Sequence, residues 1–408
     1  MIFLKLALKS LKNRMLATGL TVLSISLSIG LLLTVERAQR AAEDGFNQTI
    51  SKTDLIVGAR SGPLQLVLYT VFNIGNATHN ISFSTYQEIA KHPAIAWTIP
   101  YSLGDGHRGF RVVGTNQDFF KYYHFRKNQK VGFAAGRPFQ ELTDVVIGSE
   151  VARQLQYKMG QNIVVSHGVT KEEGFQHHDD LPFQISGIMA ATGTPLDRAV
   201  YISLEAMEAL HLEHSENLKK ENIKPDAITS FFVGTHSRLD ILKLQREINA
   251  FAKEPLLAII PGVALAELWE GLSYAERILR LISLMVLIVG FMAMLIALTT
   301  TLNERRREMA ILRAVGAQSK HILGLLVFES ALLTFLGVVG GVILSLGLVA
   351  ALAPWIESKF GLYLAGSALT QTELFYILGA LAAGTVIGLI PAFKAQNQAL
   401  KDGLSVRF

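Results

Sequence analysis

Uncharged, predominantly apolar residues run without a break over Leu16–Val35, Leu281–Leu302 and Leu374–Phe393, and over Ile322–Ile356 with only Glu329 interrupting. Twenty residues at about 1.5 Å rise per residue cover roughly 30 Å, the thickness of a bilayer's hydrocarbon core. The pattern predicts four membrane helices, at 16–35, 281–302, 322–353 and 374–393. Residues 36–280, of ordinary mixed polarity, separate the first from the other three. The predicted fold is therefore a membrane α-helical unit, one span plus three, with one large domain between them.

Within 36–280 the pattern changes. Short β-branched or aromatic runs bounded by Gly, Pro, Asn or Asp predict strands at 54–59, 95–100, 110–114, 145–148, 162–166, 183–188, 200–202 and 230–234. Helical stretches at 84–91, 149–157, 203–211 and 237–252 lie among them, the last carrying Leu239, Leu242, Leu244 and Ile248. This is an α+β domain. Two subdomains are expected: 136–224, bounded by Gly136-Arg137-Pro138 and the charged stretch Lys219–Lys224, inserted in a discontinuous outer part at about 52–135 and 225–262. Residues 36–51 continue from the first span without proline, and Leu265, Leu268, Trp269, Leu272 and Ile278 lead into the second at near-helical spacing. Helical stalks at 36–51 and 264–280 are expected; the competing reading is two short amphipathic linkers.

Composition agrees with a membrane protein: 50% of residues are hydrophobic and 17% charged, against about 25% charged in soluble domains. Cysteine is absent, which excludes thiol catalysis, disulfide frameworks and Cys-ligated metal. The first apolar run is longer than a signal peptide's h-region and lacks an A-x-A-like site, so it is expected to stay as an anchor. Basic residues cluster in segment 1–15, loop 303–321 and tail 394–408, while the loop between the third and fourth spans holds only Glu357, Lys359 and Glu373. The positive-inside rule then places both termini and loop 303–321 on the cytoplasmic side, with the large domain outside. Residues 38–275 carry 22 basic and 25 acidic side chains, and the remainder 16 and 8. The overall charge of +5 thus belongs to cytoplasmic anchors, and nucleic-acid binding loses its main support.

No Gly-Lys dipeptide occurs, so a P-loop is impossible in this sequence; G-x-S-x-G and H-E-x-x-H are also missing. No catalytic constellation is legible. The most informative stretch is the loop after the second span. Asn303-Glu304-Arg305-Arg306-Arg307-Glu308 is charged; Met309, Ile311, Leu312 and Val315 then form an apolar face, with Arg313 among them and Gly316 as a stop. This predicts a short amphipathic helix beside the membrane, read either as a basic topology anchor or as a docking element for another protein. Gly337–Gly341 and Gly384–Gly388 are G-x-x-x-G pairs suited to close helix contact, though spans are glycine-rich in any case. Glu329 lies inside the third span, where a carboxylate is expensive, and is read as packing rather than proton transport. Ten of eleven histidines fall in the large domain. His167, His177, His178, Asp179 and Asp180 have the ligand types of a divalent-cation site such as zinc, with His211 and His214 as further candidates; the same residues suit a polar surface loop. Thr192–Arg198 is read as a structural turn, with a partner-contact loop as the alternative, and Asp197 pairing locally with Arg198.

The run Glu304–Ala317 resembles the coupling segment of MacB/FtsX-type ABC transporter permeases, E-R-x-x-E-I-[GA]-x-L-R-A-[LI]-G-A. Leu6–Arg14 resembles the family's N-terminal segment, and Val112–Phe120 its V-x-G-x-x-x-x-F-F motif. Gly136–Phe139 with Asp144–Leu155, and Pro391–Ala395, resemble further landmarks in the same order. Departures are Ala310, where many relatives have glycine, and the lack of a proline after Ala395. LolC/LolE-type permeases match in size and topology and stay open as relatives. The resemblance implies a non-catalytic subunit that binds no cofactor itself, paired with a second permease copy. A separate ATPase would carry ATP and Mg and dock on Glu304, Arg305, Arg306, Arg307, Glu308, Ile311, Leu312, Arg313 and Gly316. It implies mechanotransmission: ATP-driven motion passed along the stalks to a periplasmic domain, for export or extraction of an envelope substrate, with a periplasmic adaptor, lipoprotein or hydrolase as partner. The alternatives are an FtsX-like regulator of a periplasmic partner and a zinc-linked envelope system using loop 167–180.

Overall fold

The four apolar runs lie in long helices. The first membrane helix is Met15–Thr49, the second Pro261–Glu304, the third Ser319–Phe360, and the fourth Gln371–Ile387, followed after Gly388 by a helix over Leu389–Asp402. The structure, a computed structural model, describes residues 14–126, 128–166, 182–210, 223–304, 316–360 and 369–402. The apolar runs under-report these helices at the ends nearest the domain. The first continues to Thr49 and the second begins at Pro261, because neither flank contains a residue that stops a helix and Pro261 sits at a helix start, where its fixed φ is favourable. The chain divides into two compact units: residues 1–40, 273–353 and 365–408 form one, and residues 41–272 with 354–364 the other.

The first unit buries Ile25, Ile29 and Leu33 of the first helix against Leu287, Phe291 and Met294 of the second, Leu333 of the third and Ala380 of the fourth. Leu16, Leu20, Leu23 and Leu27, on the other side of the first helix, are exposed. A second small cluster joins Ile322 and Leu326 to Ala392 and Ala395.

The second unit is built on a sheet. In chain order the strands are β1 (Leu55–Ala59), β2 (Ile81–Ser82), β3 (Ile95–His107), β4 (Phe110–Thr115), β5 (His124–Phe125), β6 (Gln129–Lys130) and β7 (Phe133–Gly136). Then come β8 (Asp144–Ile147), β9 (Asn162–Ile163), β10 (Phe183–Met189), β11 (Ala199–Ser203), β12 (Ala227–Ile228), β13 (Ser230–Thr235) and β14 (Leu256–Ile259). Ten of them form one mixed sheet in the order β14-β1-β13-β3-β4-β11-β8-β10-β7, with β9 beside β10. β4 pairs with β11 in parallel, Val112 opposite Val200, and β8 with β10 likewise; the other ladders on this path are antiparallel.

Both faces are covered, which is why the strands read as nearly continuous apolar runs rather than alternating ones. Ile56, Val113, Val146, Tyr201 and Phe232 point into one core that extends across the sheet. Their neighbours face the other way into two separate cores: Val112, Val145, Ile147, Val200 and Ile202 in one, Leu55, Val57, Phe231 and Val233 in the other. The two expected subdomains thus divide on one face and merge on the other. β11, within 136–224, pairs directly with β4, so the sheet runs unbroken between the two parts. Gly136 itself has φ +78, and a Cβ there would overlap the Ser186 carbonyl oxygen; glycine is required by the close approach of β7 to β10.

Three details differ from the pattern reading. A helix at Pro63–Val71, with no polar stripe to mark it, buries Leu66, Val67 and Tyr69. The expected helix 237–252 opens as a 3-10 turn, Arg238–Asp240, because the Ser237 hydroxyl accepts from the Leu239 amide. The α-helix proper is Ile241–Asn249, burying Leu244 and Ile248 and leaving Leu239 and Leu242 exposed. In the 192–198 loop, Asp197 does not serve Arg198. Its buried carboxylate accepts from the Thr192 amide (2.9 Å) and hydroxyl (2.8 Å) and the Gly193 amide (2.7 Å), closing the loop on itself. Burial raises the Asp197 pKa above its ordinary value, and these bonds oppose the rise.

Candidate functional site in the membrane unit

Glycines and small polar residues set the helix contacts of the bundle. A Cβ on Gly337 would lie 2.5 Å from Ile25, and one on Gly341 2.7 Å from Ile29 and 3.0 Å from the Gly30 nitrogen. The first and third helices therefore meet almost backbone to backbone, in the manner small residues permit. A Cβ on Gly290 would lie 2.9 Å from the Ser28 hydroxyl, which also donates to the Val286 carbonyl (3.1 Å) and joins the first helix to the second. On the fourth helix and at its C-cap, side chains at Gly384 and Gly388 would overlap Thr334 and Ser330 of the third. The structure thus places Gly337 and Gly341 in one contact and Gly384 and Gly388 in another. Glu329 is buried in the third helix beside Ser330.

A second feature was not read from the sequence. Glu373, in the first turn of the fourth helix, has a fully buried side chain. Arg37 of the first helix grips it with two bonds, Nε to Oε1 and Nη2 to Oε2, both 3.1 Å. Arg40 Nη1 adds a third at 3.4 Å. Arg40 also holds Glu36 (3.2 Å), Glu36 accepts from Arg280 of the second helix (3.4 Å), and Arg280 bonds Glu276. Three arginines and three glutamates thus tie three helices together at the end of the bundle that continues into residues 41–272. Bidentate, buried Arg–carboxylate geometry is the strong form of such pairing. The sequence signal was present: opposite charges stand immediately beyond three apolar runs, at 36–40, 276–280 and 373. Nothing in the linear pattern says that these ends meet.

The other predicted sites lie largely beyond view. Residues 305–315 of the coupling loop are outside the described residues; Glu304 ends the second helix, and Gly316 follows in a turn at φ +99, a conformation that favours glycine. His167, His177, His178, Asp179 and Asp180, with His211 and His214, also lie outside the described residues. Among the described residues, no group of three or more His, Asp or Glu is placed to hold a metal ion.

Four apolar helices in one unit, with a two-faced mixed sheet in the other, define the class: a membrane permease carrying an extracytoplasmic α+β domain. The family model of the MacB-like periplasmic core domain matches residues 18–251, and that of the FtsX-like permease C-terminal region matches 280–400. The chain belongs to the MacB/FtsX-type family of ABC transporter permeases. It is 24% identical over 404 residues to a macrolide export ATP-binding/permease protein MacB of Nitrosomonas europaea, covering 91% of this chain and 54% of that one. It is 25% identical to the Nitrobacter winogradskyi protein of the same name (70% of this chain, 40% of that). With the pyoverdine export ATP-binding/permease protein PvdT of Pseudomonas entomophila it shares 27% identity (74% and 44%). The chain thus spans about half the length of these relatives. The extracellular domain of the noncanonic ABC-type transporter YknZ from Gram-positive bacteria aligns with a TM-score of 0.31 at 13% identity, covering 51% of this chain and 99% of that one.

Proposed function

We propose that the chain is the non-catalytic membrane subunit of an ABC-type machine that works as a pair of permease copies, driven by a separate ATPase subunit that carries ATP and Mg. The ATPase docks on loop 303–321 through Glu304, Arg305, Arg306, Arg307, Glu308, Ile311, Leu312, Arg313 and Gly316. The machine sits in a bacterial inner membrane with both termini in the cytoplasm. It moves an envelope substrate by driving the external domain rather than by opening a channel. The three named relatives are export proteins that combine ATP-binding and permease functions in one chain, and the parts matched here are the periplasmic and permease parts. The chain itself contains no P-loop sequence.

The observation that carries this reading is helix continuity. The first and second membrane helices are 35 and 44 residues long, where about 20 suffice to cross a bilayer. Each is hydrogen-bonded along its whole length, so displacement at one end is passed axially to the other. The second ends directly at the coupling loop. The test is recovery of the tagged chain from native membranes in mild detergent with nucleotide trapped. Co-purification of an ATPase that is lost when Arg305–Arg307 become alanine is the expected result. Recovery of the intact chain without any ATPase would overturn it.

A further inference from the structure

A groove of about 650 Å³ runs between the second and fourth membrane helices. Its walls include Leu284, Ile288 and Phe291 on one side and Phe375 and Gly379 on the other, with Leu32 of the first helix among its lining residues. That volume is in the range of small-ligand sites, about 300–1,000 Å³. From Arg277 to Phe291 the groove follows fourteen residues of helix, about 21 Å at 1.5 Å per residue, more than the roughly 15 Å depth of one leaflet's hydrocarbon. Apart from its rim the lining is apolar, and Tyr376 stands near the rim, as aromatics do at a membrane interface.

The rim carries Arg277 and Arg280, which differ in what they hold. Arg280 is committed to Glu36 and Glu276. Arg277 bonds only the Ser273 hydroxyl (3.0 Å) and lies over the Tyr274 ring (4.9 Å); it forms no ion pair with any described residue. The carboxylates of this rim, Glu36, Glu276 and Glu373, are already engaged. Among the described residues, one cation is left over at the mouth of an apolar trough about one leaflet deep.

We propose that this groove holds an acyl chain of an anionic phospholipid from the leaflet on the domain side, with the lipid phosphate against Arg277. The occupant is a resident lipid that seals the second helix to the fourth, independent of any transported substrate.

The test uses the full chain in detergent, mixed with equal amounts of phosphatidylglycerol and phosphatidylcholine of the same acyl composition, and native mass spectrometry to count bound lipids. Phosphatidylglycerol should exceed phosphatidylcholine about fivefold, the effect of one basic residue at a membrane surface. Arg277→Gln should bring the ratio near one while total bound lipid stays the same. Gly379 has no atom within 4 Å of its Cβ position, so Gly379→Leu fills the groove without displacing protein and should lower both lipids together. Leu284→Trp fills it from the opposite wall if that variant fails to fold. Equal binding of the two lipids by the parent chain, or lipid counts that neither groove-filling variant changes, would overturn the proposal. So would a lipid-free dimer that Gly379→Leu splits, which would assign the groove to a second copy.

Discussion

The two units are held together by opposite means. In the sheet domain, bulky side chains are buried and their packing is aromatic: Phe119 stacks on Tyr201 at 5.1 Å, and Tyr123 meets Phe232 edge-on at 5.5 Å. In the membrane unit, many leucines face outward, Leu16, Leu20, Leu23 and Leu27 of the first helix among them, while Ser28, Ser330 and Thr334 are buried with the glycines. Water explains the difference. Outside the bilayer, burying apolar surface is the main drive for folding. Within it, lipid is as apolar as leucine, so helices associate through close backbone approach, cross-helix hydrogen bonds and paired charge. Each unit spends its large and small residues where its own solvent makes them useful.

The largest effect is expected from deleting a large side chain in the domain. Phe232→Ala should lower domain stability by about 3–5 kcal/mol, read as an earlier loss of near-UV circular dichroism when the full chain is denatured in detergent. Removing charge from the bundle comes next. Glu373→Gln leaves Arg37 and Arg40 without their buried carboxylate and should destabilise by about 3 kcal/mol. The double change with Arg37→Gln should recover part of that loss, measured by unfolding in mixed micelles. A smaller effect is expected from adding bulk: Gly341→Leu pushes the first and third helices apart at about 1–3 kcal/mol. The same substitution at Gly379, where space is open, should be neutral; equal effects at the two sites would mean that helix propensity, not close contact, sets the difference.

The mildest test is pH. Asp197 has its pKa raised by burial in the folded domain, so the folded state binds its proton more tightly than the unfolded state does. The stabilisation this gives is complete below the unfolded pKa and is lost as pH rises through the raised folded value. Melting temperature should therefore fall over that acid window in the parent chain, and fall less in Asp197→Asn. Parallel profiles for the two would show that the hydrogen bonds to Asp197 cancel the effect of burial.

Much of this was legible because it depends on local physics. An uncharged run of twenty residues has one stable form in a bilayer, so the four spans could be placed from composition alone. The strands were visible because β-branched runs bounded by turn residues leave few alternatives, and residues 304–317 carry enough fixed positions to resemble a family's coupling segment. Helix ends were less legible: Leu239 belongs by spacing to a helix that Ser237 starts later. What only tertiary structure decided is which distant residues meet. Val112 and Val113 are adjacent and alike, yet they enter different cores because successive strand residues point to opposite faces of the sheet. Arg37 and Glu373 are 336 residues apart, and their pairing follows from how the first and fourth helices pack, a relation that no local pattern along the chain encodes.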